Sequence, residues 1–366
     1  MDRIIPIVGI LVAVWFGYRR WRSSTGRTHS RDLAKAAAQL GFLPAERLDT
    51  ERSSAPDPRD EAVLEAVRAG NWQAGAAYLA EAGRDWHERD RRSSLLANEA
   101  VKDDSWLLTW RTAHPQDPGA ALVQAESLID LAWEIRGSQT ARHTTEEQFA
   151  GFHRMLERAH GACKEAQALG GEDDPCPYIV EIPLAMGLGY PHAAFEALWA
   201  EIDKRDPYHL AAHTAALQYW CAKWRGSHEL AQSFARAGAA KGAPGQLLSV
   251  LPLYAYFEYE IAHDDLDEDE YYKRPEIVAA VDAALADVAV AAATNPHDPR
   301  IPPVRHILAS LLFWQDRYEA AVEQFRLVDG YIDAEPWSYA GNDLAEDYVR
   351  VRDYSAAQVL KKCGGR

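Results

Sequence analysis

Polarity divides the chain into three stretches. Ile4 to Tyr18 (IIPIVGILVAVWFGY) carries no charge and runs directly into Arg19, Arg20 and Arg22. From Arg22 to Pro56, Ser, Thr and Arg cluster around one short helical pattern at Leu33 to Leu40, a composition that orders poorly by itself. From Asp57 onward, apolar residues recur at three- and four-residue spacing in Ala-, Leu- and Glu-rich segments that Gly and Pro interrupt, and runs of alternating β-branched residues are missing. The expected class is all-α: an α-solenoid of antiparallel helical hairpins preceded by one N-terminal membrane helix. The expected boundaries are 1–21 for the anchor, 22–56 for a flexible basic linker, 57–262 for a helical repeat-like region, 263–275 for an acidic loop and 276–366 for a C-terminal helical region.

Helix starts are marked by a recurring Asp-Pro pair at Asp57-Pro58, Asp117-Pro118, Asp174-Pro175, Asp206-Pro207 and Asp298-Pro299. Asp accepts a hydrogen bond from an unpaired backbone N–H of the first turn, and Pro fits the first helical position because it has no N–H to leave unpaired. The intervals approximate two, two, one and three units of about 30 residues, the range of helical-hairpin repeats. One helix is expected from Asp206 as its cap through Leu210, His213, Leu217, Trp220 and Trp224, ending at Gly226. A second should begin at Ser227 with Glu229 in its first turn, and Gly189 should mark an earlier turn.

The apolar N-terminal stretch has its aromatic residues, Trp15, Tyr18 and Trp21, at the charged end, as an interfacial cluster would. Fifteen helical residues span about 22 Å, so Trp21 and the arginine stems would have to complete a bilayer of about 30 Å. The arginines follow the apolar stretch and no small-residue cleavage site appears, which favours an uncleaved anchor over a cleaved signal. Positive charge on the C-terminal side places the bulk of the chain in the cytoplasm, a single-pass arrangement. Four scattered cysteines without a C-x-x-C pair agree with a reducing compartment.

The 366 residues are 48% hydrophobic and 26% charged, which excludes wholesale disorder. A net charge of −16 argues against nucleic acid as a partner, because affinity for phosphate backbones comes from clustered positive charge. Twelve tryptophans are a heavy load, read first as core anchors between helices.

Residues 308 to 325 (LASLLFWQDRYEAAVEQF) resemble a tetratricopeptide repeat. Leu308 and Ala309 match the Leu-Gly pair of the first helix, Asp316 stands at the turn, Tyr318 follows it, and Ala321 and Phe325 match the second helix. Arg305, Leu312 and Asp333 depart from the family's tryptophan, tyrosine and proline, and a weaker copy occurs at Tyr354, Ala356 and Ala357. The resemblance implies that the C-terminal region is tetratricopeptide-like. The middle of the chain, with DWHER (85–89), AWEIRG (132–137) and KWRGSHE (223–229), resembles an uncharacterised bacterial family of repeat-like helical proteins, which supports the fold and adds no catalytic residue.

Candidate chemistry is sparse. His209 and His213 are four apart on one expected helix face, with Asp206 nearby, a spacing that can bind a metal; satisfied structural histidines are the competing reading. The run Asp264 to Glu270 (DDLDEDE) approaches a calcium loop, with Asp265, Asp267, Asp269 and Glu276 at ligand spacing, but Glu270 replaces the required glycine; it reads better as a solvated loop able to dock a basic partner. Trp133 with Arg136, and Trp220 with Trp224, could line a binding groove or pack as core. No phosphate loop, dinucleotide fingerprint, H-E-x-x-H or G-x-S-x-G is present. The expected function is a membrane-tethered cytoplasmic adaptor that binds a protein or peptide, with no catalytic residue and no cofactor. The alternative is a metal-dependent or small-molecule-binding enzyme on a helical scaffold.

Overall fold

The computed structural model describes residues 27–137, 145–263, 265–339 and 344–364, so the expected anchor over 1–21 lies outside the described residues. Among them the chain is all-α, with a single isolated parallel bridge between Asp49 and Tyr331. It forms two compact units. The first is Pro56–Ala231, and the second joins residues 27–55 to the chain after Gln232. The division falls at residues 231 and 232, not at the acidic segment 263–275.

The first helix, α1 (Arg27–Gln39), belongs to the second unit, described below. The first unit contains α2 (Pro58–Arg68), α3 (Trp72–Ala80), α4 (Trp86–Lys102), α5 (Ser105–Ala113), α6 (Pro118–Arg136), α7 (Glu146–Leu169), α8 (Cys176–Ile179), α9 (Glu181–Leu188), α10 (His192–Arg205) and α11 (Leu210–Trp220). Its core cluster joins Val67, Leu79, Leu96, Trp106, Trp110 and Val123 from α2 through α6. Aromatic burial supplies much of the stabilising area there, and no described tryptophan of the whole chain is exposed.

All five Asp-Pro pairs make the same turn. Each aspartate accepts the backbone N–H two residues on: Arg59 (2.8 Å), Gly119 (2.8 Å), Cys176 (2.9 Å), Tyr208 (3.1 Å) and Arg300 (2.9 Å). Only Asp57 and Asp117 are true caps with Pro at the first helical position. Asp117 serves twice, since its other carboxylate oxygen accepts the Trp110 indole N–H at 3.2 Å, tying the start of α6 to the core.

Two expectations about the 206–226 region are corrected. Asp206 closes α10, its N–H donating to the Ile202 carbonyl at 2.9 Å, and α11 starts only after His209, whose Nδ1 accepts the Ala212 N–H at 3.2 Å. The extended backbone of Asp206 (φ −145°, ψ 90°) breaks the helical path that one continuous helix needs. α11 then stops at Trp220, not at Gly226, because Cys221 turns extended and residues 221–226 fold back, with the Gly226 N–H on the Cys221 carbonyl at 3.2 Å. Gly226 is there for space: a Cβ would overlap the Trp220 carbonyl group. Gly189, by contrast, closes α9 in the left-handed region (φ 66°), as a turn glycine should. The start of α12 (His228–Lys241) is also as expected, with Ser227 Oγ accepting the Leu230 N–H at 3.2 Å.

The second unit continues through α13 (Leu251–Glu260), α14 (Glu268–Tyr271), α15 (Pro275–Thr294), α16 (Ile301–Trp314), α17 (Tyr318–Arg326) and α18 (Leu344–Gly364). Helices α16 and α17 form a tight hairpin that buries Leu308, Ala309, Ala321 and Phe325. Asp316 makes the turn in the left-handed region (φ 56°), which Asp tolerates better than most residues. The weaker copy at Tyr354 lies inside α18, so no hairpin turn precedes it. Among the described residues one helix, α15, is long and apolar enough to cross a membrane, and it lies mid-chain. One face of it (Ile277, Val281, Ala284, Val288, Ala291) is buried in the unit, and its buried Asp287 accepts the Ser249 hydroxyl at 2.6 Å.

Residues 27–55 correct the linker expectation. α1 packs on α18 and buries Ala36 and Ala37, Phe42 follows into the core, and Asp49 exchanges backbone bonds with Gly330 (2.7 Å) and Ile332 (2.9 Å). Buried alanines carry little hydropathy signal, so the polar composition around them dominated the reading. His306, fully buried in the same unit, donates from Nε2 to the Tyr331 carbonyl (3.1 Å) and accepts the Trp337 indole N–H at Nδ1 (3.0 Å). Burial holds this imidazole neutral by pulling its pKa down to about 4.

Candidate functional site

The second unit has an open cavity of about 280 Å³ beside α14, where the acidic run meets an aromatic wall. Asp267 is spent on structure: its carboxylate accepts the Glu270 N–H at 3.2 Å and starts the short helix, which corrects the plain-loop reading of this segment. Asp264 lies outside the described residues. The helix turns Tyr271 inward, where its ring stacks on Tyr259 with centroids 5.6 Å apart, while Asp265, Asp267 and Glu270 remain exposed at the rim. Arg274 already lies over the Tyr271 ring at 4.9 Å, so this wall accepts a guanidinium within the fold itself. Near Tyr271, burial and then the neighbouring Glu268 push the Glu260 carboxyl up to about 7. His263 stacks on Tyr259 with centroids 4.0 Å apart and Tyr271 is 3% exposed, so what the cavity offers an incoming organic cation is its acidic rim. The calcium-spaced ligands are dispersed instead: Asp267 caps α14, Glu276 sits in the first turn of α15, and Asp269 pairs with Lys273 at 3.5 Å.

The other nominated residues lie in the first unit. Trp133, Arg136 and Trp224 come together: the two indoles meet edge to face at 5.5 Å, and the Arg136 guanidinium lies 5.4 Å from one ring and 5.9 Å from the other. Trp133 and Arg136 are 1% and 5% exposed, so they pack as core, and burial draws the guanidinium below its usual pKa range. Trp220 is elsewhere, packed on Phe195 at 5.7 Å and His192 at 4.9 Å. His209 is the cap of α11 and stacks on His87 at 4.3 Å, whereas His213 Nδ1 meets the His209 carbonyl at 3.0 Å and its ring meets Trp199 edge-on at 4.8 Å. Asp206 points into its own turn. Among the described residues no group of three or more His, Cys, Asp or Glu side chains is arranged to hold a metal ion.

Sequence reasoning missed a third group, in the core of the first unit. Glu126 on α6 accepts the hydroxyls of Ser93 (2.6 Å) and Ser94 from α4, and Asp90 lies one turn before those serines. Asp130, one turn after Glu126, is 3% exposed, and neither of its carboxylate oxygens has a hydrogen-bond partner. Burial, then Asp174, pushes Asp90 up to about 7; burial, then Asp90, pushes Glu126 up to about 8; burial, then Glu126 and Glu134, raises Asp130 well above the carboxylate range. The signal was present in the sequence: Glu126 and Asp130, four apart, are the two charges in the otherwise uncharged, mostly apolar AALVQAESLIDLAW.

No family model matches the chain, and neither a curated protein nor a solved structure matches it. What the fold defines is an all-α protein of two helical units.

Proposed function

We propose that the chain is a membrane-tethered cytoplasmic adaptor, a tetratricopeptide-like α-solenoid whose second unit takes a lysine or arginine side chain of a partner protein or peptide in the cavity beside α14. The observation that carries this reading is the set of exposed carboxylates, Asp265, Asp267 and Glu270, lining one open cavity. Clustered carboxylates of one sign attract a cationic side chain and steer it to the cavity. The net charge of −16 adds long-range attraction for a basic segment.

Full-length protein in detergent, titrated with a fluorescent lysine-rich peptide, is expected to bind it in preference to a glutamate-rich peptide of equal length. Binding should weaken as salt rises, and about tenfold in the double variant Asp265→Asn, Glu270→Gln, which leaves the Asp267 cap intact. Equal binding of both peptides, or indifference to the rim variant, overturns the cavity reading. The tether is tested separately: removing residues 1–21 should move the protein from the membrane pellet to the supernatant, and a full-length chain already in the supernatant without detergent would refute the anchor.

A further inference from the structure

We propose that Asp90, Glu126 and Asp130 form a proton-binding site in the core of the first unit, so that this unit holds protons its unfolded chain would release and loosens as pH rises through neutrality. The geometry carries it. Two acids stand on successive turns of α6 and a third, the half-buried Asp90, on α4, which packs against it; among the described residues only the hydroxyls of Ser93 and Ser94 donate to them. Asp130 has both oxygens buried and unpartnered, the arrangement that strongly disfavours an ionised carboxylate.

Among the described residues the surrounding charges do not supply a counter-ion. On α4, Arg89 pairs with Asp174 at 2.9 Å, Arg91 with Asp60 and Glu88, and Arg92 with Glu88. On α6, Glu134 adds negative charge and Arg136 is stacked on indoles. On α7, Lys164 pairs with Glu181 at 2.9 Å, and Cys163 is a thiol that burial keeps protonated. Asp174 lies ahead of α8, and Cys176, its first residue, is a thiol held protonated by burial. On α3, Tyr78 bonds Asp60, and on α5, Arg111 pairs with Glu165 at 2.5 Å. The upward shifts of the three carboxyls have the matching sign. Folded-state values above the unfolded ones mean that the stabilisation is full below about pH 4 and declines as pH climbs to about 7–8.

The test uses the full-length chain and hydrogen exchange of the α6 amides, each variant compared with the parent at the same pH. Asp130→Asn keeps the shape of a protonated acid but cannot ionise. It should raise α6 protection about tenfold or more at pH 8 and by less than about threefold at pH 5. Infrared difference spectra between pH 6 and pH 9, recorded in a Glu260→Gln background to remove the acid of the other unit that titrates in this range, should show a carboxylic-acid C=O band in the parent that shrinks in Asp130→Asn and in Glu126→Gln. Equal gain or loss of protection at both pH values, a band that neither variant changes, or one equivalent of bound divalent cation in protein purified without chelator would overturn the proposal. If Asp130→Asn fails to fold, Glu126→Gln and the parent's own spectrum decide it.

Discussion

Arg352→Met is expected to destabilise the second unit by about 3–5 kcal/mol. The guanidinium is 2% exposed, binds Asp329 at 3.0 Å and Asp353 at 2.9 Å, and lies 5.2 Å from the Phe42 ring and 5.5 Å from Tyr348. Methionine fills much of the volume but leaves two carboxylates without their cation. Burial already raises the Asp353 carboxyl, with Arg352 opposing it, so loss of the arginine leaves the effect of burial unopposed. Asp329 also accepts the Leu43 N–H at 2.8 Å, so the damage reaches the N-terminal segment. Urea unfolding of the full chain measures the loss, and faster proteolysis between residues 40 and 56 locates it. Neutralising both partners as well (R352M with D329N and D353N) should recover more than half of the loss, since the larger cost is the unpaired charge. A single variant within about 1 kcal/mol of the parent would contradict this account.

Gly226→Ala should cost the first unit about 3 kcal/mol, the upper part of the range for overpacking. A Cβ there meets the backbone of Trp220, including Cα at 2.7 Å, and backbone cannot rotate away as a side chain can. The 221–226 turn must move, carrying Trp224 off Trp133 and Arg136. Gly161→Ala is the control: it is inside α7 with nothing within 4 Å of the new Cβ, so it should be neutral or stabilise by up to about 1 kcal/mol. Thermal unfolding followed by tryptophan fluorescence separates the two, and equal behaviour would mean that the turn is not close-packed.

These two variants also mark where the text was legible. The helical class, the Ser227 cap, the Gly189 turn and the 308–325 hairpin followed from signals between residues close in sequence. Asp206 and Gly226 misled because the same residue types serve two geometries. Asp-Pro makes its Asx turn at all five sites, but whether a helix follows depends on the next backbone torsions, which at Asp206 are already committed to ending α10. Gly226 reads as a left-handed terminator, and only the distance to Trp220 shows its other use. The 27–55 segment failed for a different reason: its order comes from residues almost 300 positions away, at Asp329 and Tyr331, which no local window contains. The candidate cavity was half legible. The acidic run is plain in the sequence, whereas the Tyr259 and Tyr271 pair needs the fold to bring two helices together.

The second unit is discontinuous in sequence: it opens with residues 27–55 and finishes with the chain after Gln232, with the whole first unit between them. During synthesis the opening segment therefore emerges long before Asp329, in the turn after α17, and Arg352, on α18, have been made. At about 5–20 residues per second that delay is about 15–60 s, ample for the first unit to fold alone. Phe42 and the small apolar face of α1 spend that interval without their partners, as a nascent segment that a chaperone can hold. Docking of residues 27–55 is therefore a late step that waits for the last helix of the unit.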